Sequence, residues 1–404
     1  MTTLSPPKKK ILYLALSDPD LAVTGVTVRI GGFVRNLAKF YDITLVNMTG
    51  SGHKAPPLPG PTAIDALVQQ RVQVPFTQVG YFLFSLPFYR AAKELLEQNQ
   101  YDYLVADYGL AAVYGLKLAK RYNLPLLYFS SNVEYQMYWE LGKHDVRRRV
   151  LAPYVYWAER AVCRAASCVT TVSDRDRQAY AQWTDADKII SIPQGFDPEE
   201  MNPFYPPQAS EPPIILFTGS FRDENNRQAA RTIANAIAPA VANIIPNAKF
   251  QLIGSDPPPD IAGPNIECLG FIENISPFVQ RANVVIAPMP FGHGISTKVV
   301  LGLTYGKTVL TTPQVAGGMP RQYEQLHVAS IDDFANKLIT LLRAQPTVSR
   351  QDFETLCQDL AWPDLMARLH HRIEALTQPQ VSEATVETNP ARQPSSTGAN
   401  NLWP

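Results

Sequence analysis

Short runs of apolar and β-branched residues alternate along this chain with longer stretches whose apolar positions recur at helical spacing. That alternation is the pattern of a parallel sheet covered by helices on both faces. In the first half, residues 11–16, 43–46, 103–106, 126–129, 168–172 and 189–192 predict strands. Helices are predicted over 28–39, 81–98, 110–121 and about 135–165, with Pro87 either kinking the second or marking its true start. Six prolines between Pro198 and Pro213 then forbid a continuous helix or central strand. Beyond them the alternation restarts, with strands expected at 214–217, 250–253, 266–269, 284–287 and 309–311. Helices are expected at 226–245, 275–282, 295–305, 334–343, 352–360 and 363–376.

The fold class expected is therefore α/β, with two Rossmann-like domains facing an interdomain cleft. A chain of 404 residues that is 46% hydrophobic can fill two cores. The domains are expected at 1–197 and 214–350, joined by a proline-rich linker at 198–213. Helices at 351–377 and a disordered tail at 378–404, rich in Ser, Thr, Pro, Gln and Asn, complete the division. Ligands of open α/β sheets bind at the carboxyl ends of the strands, so the cleft is the expected site.

Charge narrows the function classes. With 36 basic and 36 acidic residues the net charge is +0, and no extended basic surface is evident, so no nucleic-acid partner is expected. Cys163, Cys168, Cys268 and Cys357 form no CxxC pair and have no His at zinc spacing, which fits a reducing, cytoplasmic compartment and no metal. The apolar run after Lys8-Lys9-Lys10 is too short for a signal peptide's core, and the run at 79–88 is too short for a span. No strand is followed by G-x-G-x-x-G, so an NAD-dependent oxidoreductase is disfavoured.

Two strand-to-helix turns carry candidate chemistry. Gly219-Ser220 leads through Arg222, Asn226 and Arg227 into a helix, where a close-approaching backbone and unpaired N–H groups suit a diphosphate. Such turns recur throughout α/β folds, so a plain turn glycine with solvated arginines is an equally ordinary account. The stretch from Pro288 to Lys298 is richer. Gly292 and Gly294 let the backbone approach a ligand, Ile295, Ser296 and Thr297 offer first-turn N–H groups, and Lys298 adds a positive charge. His293, between two glycines, is either a ligand contact or a loop tip.

On these residues the second half resembles the donor domain of family 4 glycosyltransferases, retaining enzymes of the GT-B fold. The matching stretches run from Ile215-Leu-Phe-Thr-Gly-Ser-Phe-Arg222 and Asn226, through Phe250-Gln-Leu-Ile-Gly-Ser255, to Gly294-Ile-Ser-Thr-Lys-Val-Val and Gly306-Lys-Thr-Val. The hinge Ile192-Pro-Gln-Gly-Phe-Asp197 also matches, and Trp362 resembles the tryptophan before a last helix that crosses back to the first domain. The first half is similar more loosely, at Gly25 with Arg29, and at Ser130-Ser-Asn132-Val-Glu134. Glu159 also falls at a familiar position, though the polar face of a helix accounts for it.

The resemblance implies a hexosyltransferase-like enzyme that moves a sugar from a nucleoside-diphosphate sugar, its co-substrate, to a hydroxyl acceptor such as a glycan or glycolipid. No separate cofactor is implied. Lys298, Arg222 and Asp107 are the catalytic candidates. Gly219, Ser220, Asn226, Arg227, His293, Gly294, Ile295, Ser296, Thr297 and Leu301 are the donor-side candidates, and Gly25, Arg29, Asn132 and Glu134 form the acceptor and diphosphate side. One departure stands out: Leu301 occupies the place of the family's ribose-binding glutamate. Losing that charged acceptor removes about 1.5–3 kcal/mol if nothing compensates. A degenerate GT-B protein that binds without turnover is therefore the alternative reading. Arg147, Arg148 and Arg149 beside Tyr154, Tyr156 and Trp157 fit either peripheral contact at the inner face of the membrane or an ordinary amphipathic helix.

Overall fold

The computed structural model describes residues 7–20, 25–49, 64–77, 84–143, 145–198, 212–263, 265–292 and 295–377. Most of the linker, the tail beyond 377, His293 and Gly294 lie outside the described residues, as does most of the apolar run at 79–88.

The first half holds a seven-stranded sheet in the order β3-β2-β1-β4-β5-β6-β7. Its strands are β1 (Lys10–Ala15), β2 (Asp42–Thr49), β3 (Gln70–Pro75), β4 (Tyr103–Asp107), β5 (Leu126–Phe129), β6 (Cys168–Thr171) and β7 (Ile189–Ser191). The second half holds a six-stranded sheet in the order β10-β9-β8-β11-β12-β13. These strands are β8 (Ile214–Thr218), β9 (Lys249–Ile253), β10 (Ile266–Gly270), β11 (Val284–Ala287), β12 (Thr308–Thr311) and β13 (Leu326–Val328). Every strand pairing is parallel. The central strands are buried on both faces, which is why β1, β4, β5, β6, β11 and β12 read as near-continuous apolar or β-branched runs.

Each sheet reverses its strand order once, between β1 and β4 and between β8 and β11. Ligands of such sheets bind at these switch points. The turn after β1 leads to Gly25, and Asp107 ends β4; the turn after β8 holds Gly219, and the Pro288–Gly292 loop follows β11. The candidate residues thus cluster at both switch points.

Several elements differ from the sequence reading. The helix expected over 135–165 is two helices, Glu134–Leu141 and Val146–Ala165, broken at Gly142 and restarted by Asp145, whose carboxylate accepts from the Arg147 N–H at 2.9 Å. Pro87 marks a start, not a kink: Ser85 caps the helix Leu86–Gln98, accepting from the Phe88 N–H. Leu86, the first residue of this helix, is exposed. The helix expected at 226–245 begins at Glu224 and contains a π-helical segment, Ile233–Ile237, just before Pro239, which cannot donate a backbone hydrogen bond. Strands β3 and β13 and the helix Asp174–Tyr180 were not anticipated. Cys268 is exposed on the outer strand β10.

The chain crosses between the halves at one point twice. Phe196, leaving the first half, is buried in the core of the second. Trp362, leaving the second, is buried in the core of the first with Leu365, Met366, Leu369 and Ile373 of the helix Trp362–Thr377. The two crossings are bonded to each other: Phe196 N–H donates to the Leu360 carbonyl (3.0 Å) and Trp362 N–H to the Phe196 carbonyl (2.9 Å). The indole lies in a socket that only glycine permits, since a Cβ at Gly32 would overlap it and one at Gly195 would come within 2.5 Å. Phe33 meets its ring edge-on at 5.5 Å between centroids. Removing so large a buried side chain leaves a cavity the glycines cannot fill. Trp362→Ala is expected to destabilise the protein by about 3–5 kcal/mol, read as a lowered denaturant midpoint; an unchanged midpoint would show that the crossing tolerates the void.

Candidate functional site

Lys298 stands at the start of the helix Thr297–Thr304, and its side chain is buried. Its Nζ donates to Asn226 Oδ1 at 2.9 Å, lies 3.7 Å from the Met289 sulfur, and sits 5.3 Å from the centroid of the Phe217 ring. Among the described residues no carboxylate bonds it. Burial therefore pushes its pKa down to about 8, and the Asp223 charge opposes that shift. Asp223 is held in turn by its own task, capping the helix Glu224–Thr232 through the Asn225 and Asn226 N–H groups.

Asn226 joins both donor-side turns. Its Nδ2 donates to the Ser220 carbonyl at 2.8 Å while its Oδ1 accepts from Lys298. The Gly219-Ser220 turn is packed tightly: a Cβ on Gly254 would collide with the Gly219 carbonyl, and the Ser220 and Ser255 hydroxyls lie 3.0 Å apart. The Pro288–Gly292 loop is fixed from three sides. Thr312 Oγ1 donates to the Met289 carbonyl (2.9 Å), Asn225 Nδ2 to the Phe291 carbonyl (3.1 Å), and Arg175 Nη2, from the first half, to the Gly292 carbonyl (2.8 Å). Ser296 makes no side-chain cap, so none of its oxygen competes for the first-turn N–H groups of Thr297 and Lys298. Ile295, Ser296 and Thr297 are all partly accessible.

The first half brings its own helix start to this point. A Cβ on Gly25 would lie 3.3 Å from Thr297 Cγ2, so the helices Gly25–Leu37 and Thr297–Thr304 meet end to end across the cleft. Both point their positive ends there, the arrangement that favours an anion.

The remaining candidates have other partners. The Arg222 guanidinium pairs at the surface with Asp256, and Arg227 bonds Glu224 and the Phe221 carbonyl. Arg29 is buried; its Nη1 donates to the Pro193 carbonyl of the hinge at 3.1 Å, its guanidinium lies over the Phe33 ring, and its Nε and Nη2 have no hydrogen-bond partner among the described residues. Asp107 is buried and accepts from the Tyr13 hydroxyl; burial lifts its pKa to about 7, opposed by that bond and the Arg29 charge. Glu134 is buried against Gly109, with its pKa raised by burial and by Glu159. Glu159 is no solvated helix face: it accepts from the Glu134 and Tyr135 N–H groups (2.8 Å each) and from Tyr180 Oη (2.7 Å), capping the helix Glu134–Leu141 from below. Asn132 uses its carbonyl to accept from Ser130 Oγ and Tyr180 Oη, holding this loop. Leu301 lies one turn from Lys298, half-buried against the second core.

Sequence reasoning missed Asp223, Arg175 and Thr312. Asp before a helical run is a readable cap signal, whereas nothing local to Arg175 announces a contact with Gly292. Among the described residues no three His, Cys, Asp or Glu side chains gather as a metal-holding group, and no helix is long and apolar enough to cross a membrane.

The comparisons agree with this architecture. Glycosyltransferase Family 4 matches residues 23–200, and Glycosyl transferases group 1 matches residues 212–344. The chain belongs to the family 4 glycosyltransferases. Its two Rossmann-like domains have the GT-B fold. Among solved structures it is similar to a sucrose-phosphate synthase from Thermosynechococcus elongatus, at 19% identity and TM-score 0.68 over 91% of this chain and all (100%) of that one. It is similar to Anabaena HepE in complex with UDP-glucose, at 14% identity and TM-score 0.64 over 91% and 100% of the two chains. A glycosyltransferase from Rickettsia africae follows at 13% identity and TM-score 0.63, over 92% and 100%. Comparison with curated proteins gives no sequence match. At these identities the structural likeness speaks for the fold alone.

The charge on Lys298 sets an expected pH dependence. The ammonium is the anion-binding form, and with a pKa lowered to about 8 it is present below that pH and lost above it. On the Lys298 charge alone, affinity for a nucleoside diphosphate should be fully present well below pH 8 and fall as pH rises through it. Calorimetry across this range on the native protein and on Lys298→Met checks this, since the variant should lose the slope; a slope shared by both would assign it to another group.

Proposed function

We propose that this glycosyltransferase moves a hexosyl group from a nucleoside-diphosphate sugar to a hydroxyl acceptor, a glycan or glycolipid, with retention at the anomeric carbon. The observation that carries the reading is the buried, carboxylate-free Lys298 between two converging helix starts. A buried ammonium bonded to a neutral amide and a thioether is an incomplete pair, and a diphosphate completes it. As the bond from the anomeric carbon to the diphosphate breaks, negative charge grows on the leaving oxygen. Preorganised donors at that point stabilise it with no rearrangement. Lys298 and the first-turn N–H groups of Thr297–Thr304 are placed for this role. The complexes of Anabaena HepE with UDP and UDP-glucose support a uridine donor as the first to try.

Of the other proposed residues, Gly219, Ser220 and Asn226 shape the donor wall, and His293 and Gly294 follow Gly292 in the sequence. Asp107, Arg29 and Glu134 act as buried supports of the facing wall, with Arg222 and Arg227 at the donor domain's rim. The resemblance alone carries retention.

Leu301 supports the second reading, binding without turnover, because no carboxylate projects at that turn to hold a ribose. Calorimetry against UDP-sugars, followed by transfer and hydrolysis assays, separates the readings: binding with no product from any donor favours the second. If transfer occurs, Lys298→Ala should lower kcat by on the order of 10²-fold or more, and undiminished turnover would remove Lys298 from the mechanism. Leu301→Glu should tighten UDP binding by about tenfold by restoring a charged acceptor. Unchanged affinity in that variant would mean the ribose lies elsewhere.

A further inference from the structure

The helix Val146–Ala165 turns one face to the first core through Ala152, Val155, Ala158, Val162 and Cys163. Its opposite face is unusual for a chain of zero net charge. Val146 and Val150 are 75% and 71% exposed there, and Trp157 is 59% exposed. Trp139, on the adjoining helix Glu134–Leu141, is exposed to the same 59%. Arg147, Arg149, Arg160 and Arg164 occupy the exposed positions between and beyond these apolar groups. None of the four forms an ion pair among the described residues; in this segment Arg148 takes Asp145 and Lys143 takes Glu140. No carboxylate occupies an exposed position anywhere along the helix, because its single acidic residue, Glu159, is buried.

We propose that this face is a docking surface for an anionic lipid bilayer, with Trp139, Val146, Val150 and Trp157 entering the headgroup boundary and the four arginines meeting lipid phosphates. The chemistry selects this occupant over others. Exposed valines gain nothing from a nucleic-acid backbone but gain by leaving water at an acyl boundary, where tryptophan also prefers to sit. A second copy of the same face would set arginines against arginines, a like-charge juxtaposition. From Val146 to Trp157 the stripe extends roughly 16 Å along the helix, so it lies on a surface instead of spanning it. The face is held rigid: Asp145 caps the helix start, and the Tyr156 ring is wedged between Tyr135 at 5.2 Å and Trp183 at 5.3 Å. Docking here stands independently of the donor reading, since no residue of the stripe is among the cleft residues.

The test is flotation of the full-length protein with vesicles of phosphatidylcholine, with and without phosphatidylglycerol. Binding to the anionic vesicles should be about tenfold stronger and weaken with added salt. Trp139→Ala with Trp157→Ala should lower that binding about tenfold, as should Arg149→Glu with Arg160→Glu. Native-like nucleoside-diphosphate affinity, or native circular dichroism where no nucleotide binds, confirms that each variant is folded. Tryptophan emission should shift to the blue on anionic vesicles. Three results overturn the proposal: no vesicle binding, binding indifferent to the tryptophan pair, or a concentration-dependent dimer in free solution that the same variants abolish.

Discussion

The relative placement of the two halves depends on a reciprocal exchange of aromatic anchors. Phe196 is buried in the second core and Trp362 in the first, and the two segments are hydrogen-bonded to each other where they pass. Each half therefore completes its core with a residue that belongs by sequence to the path of the other. Neither anchor can leave without opening a cavity, and the indole's socket of Gly32, Gly195 and Phe33 admits little lateral shift. Arg29 ties the same hinge to the first helix through the Pro193 carbonyl. The middle of that helix, at Gly32 and Phe33, packs on Trp362, and its start, at Gly25, meets Thr297. Hinge packing and cleft geometry are thus properties of a single rigid rod.

The donor wall is built by neutral groups around one cation. Asn226 is the pivot, because it closes the Gly219-Ser220 turn with its amide and receives Lys298 with its oxygen. A buried ammonium so placed is costly to the empty fold. Its lowered pKa is the measure of that cost, and an arriving anion relieves it. Sites that keep an unpaired buried charge at a helix start sacrifice stability for affinity, consistent with strain being concentrated where ligands act.

Much of this was legible in the sequence because strands buried on both faces must be apolar throughout, and their spacing fixes the α/β alternation. The donor turns were legible for the same reason: glycine followed by a helix start has a local cause. What escaped has non-local causes. Strand β3 offers only Val72 and Val74 as apolar positions in an outer, half-exposed strand, so no pattern marks it. The bond from Arg29 to the Pro193 carbonyl likewise depends on where the hinge falls in space, which no local pattern announces. Arg222 follows the donor strand closely, yet Asp256, far along the chain, claims it. Glu159 shows the converse, a carboxylate that helical periodicity reads as surface and that folding uses as a buried cap. The helix break at Gly142 and Asp145 was there to be read, since a glycine followed by a capping aspartate is a stop and a start.

The substitution at 301 changes more than the ribose contact. Residues three apart on a helix are neighbours, so a glutamate at that turn would share the face of Lys298 and stabilise its charged form. With leucine there, the nearest anionic influence on Lys298 is Asp223, already occupied by the cap of another helix. The cation is left dependent on the ligand for its counter-charge. Under the proposed function, leucine at this turn removes a charged partner for the ribose and sharpens the demand for phosphate in the same step. Donor discrimination would then rest on the diphosphate and the sugar.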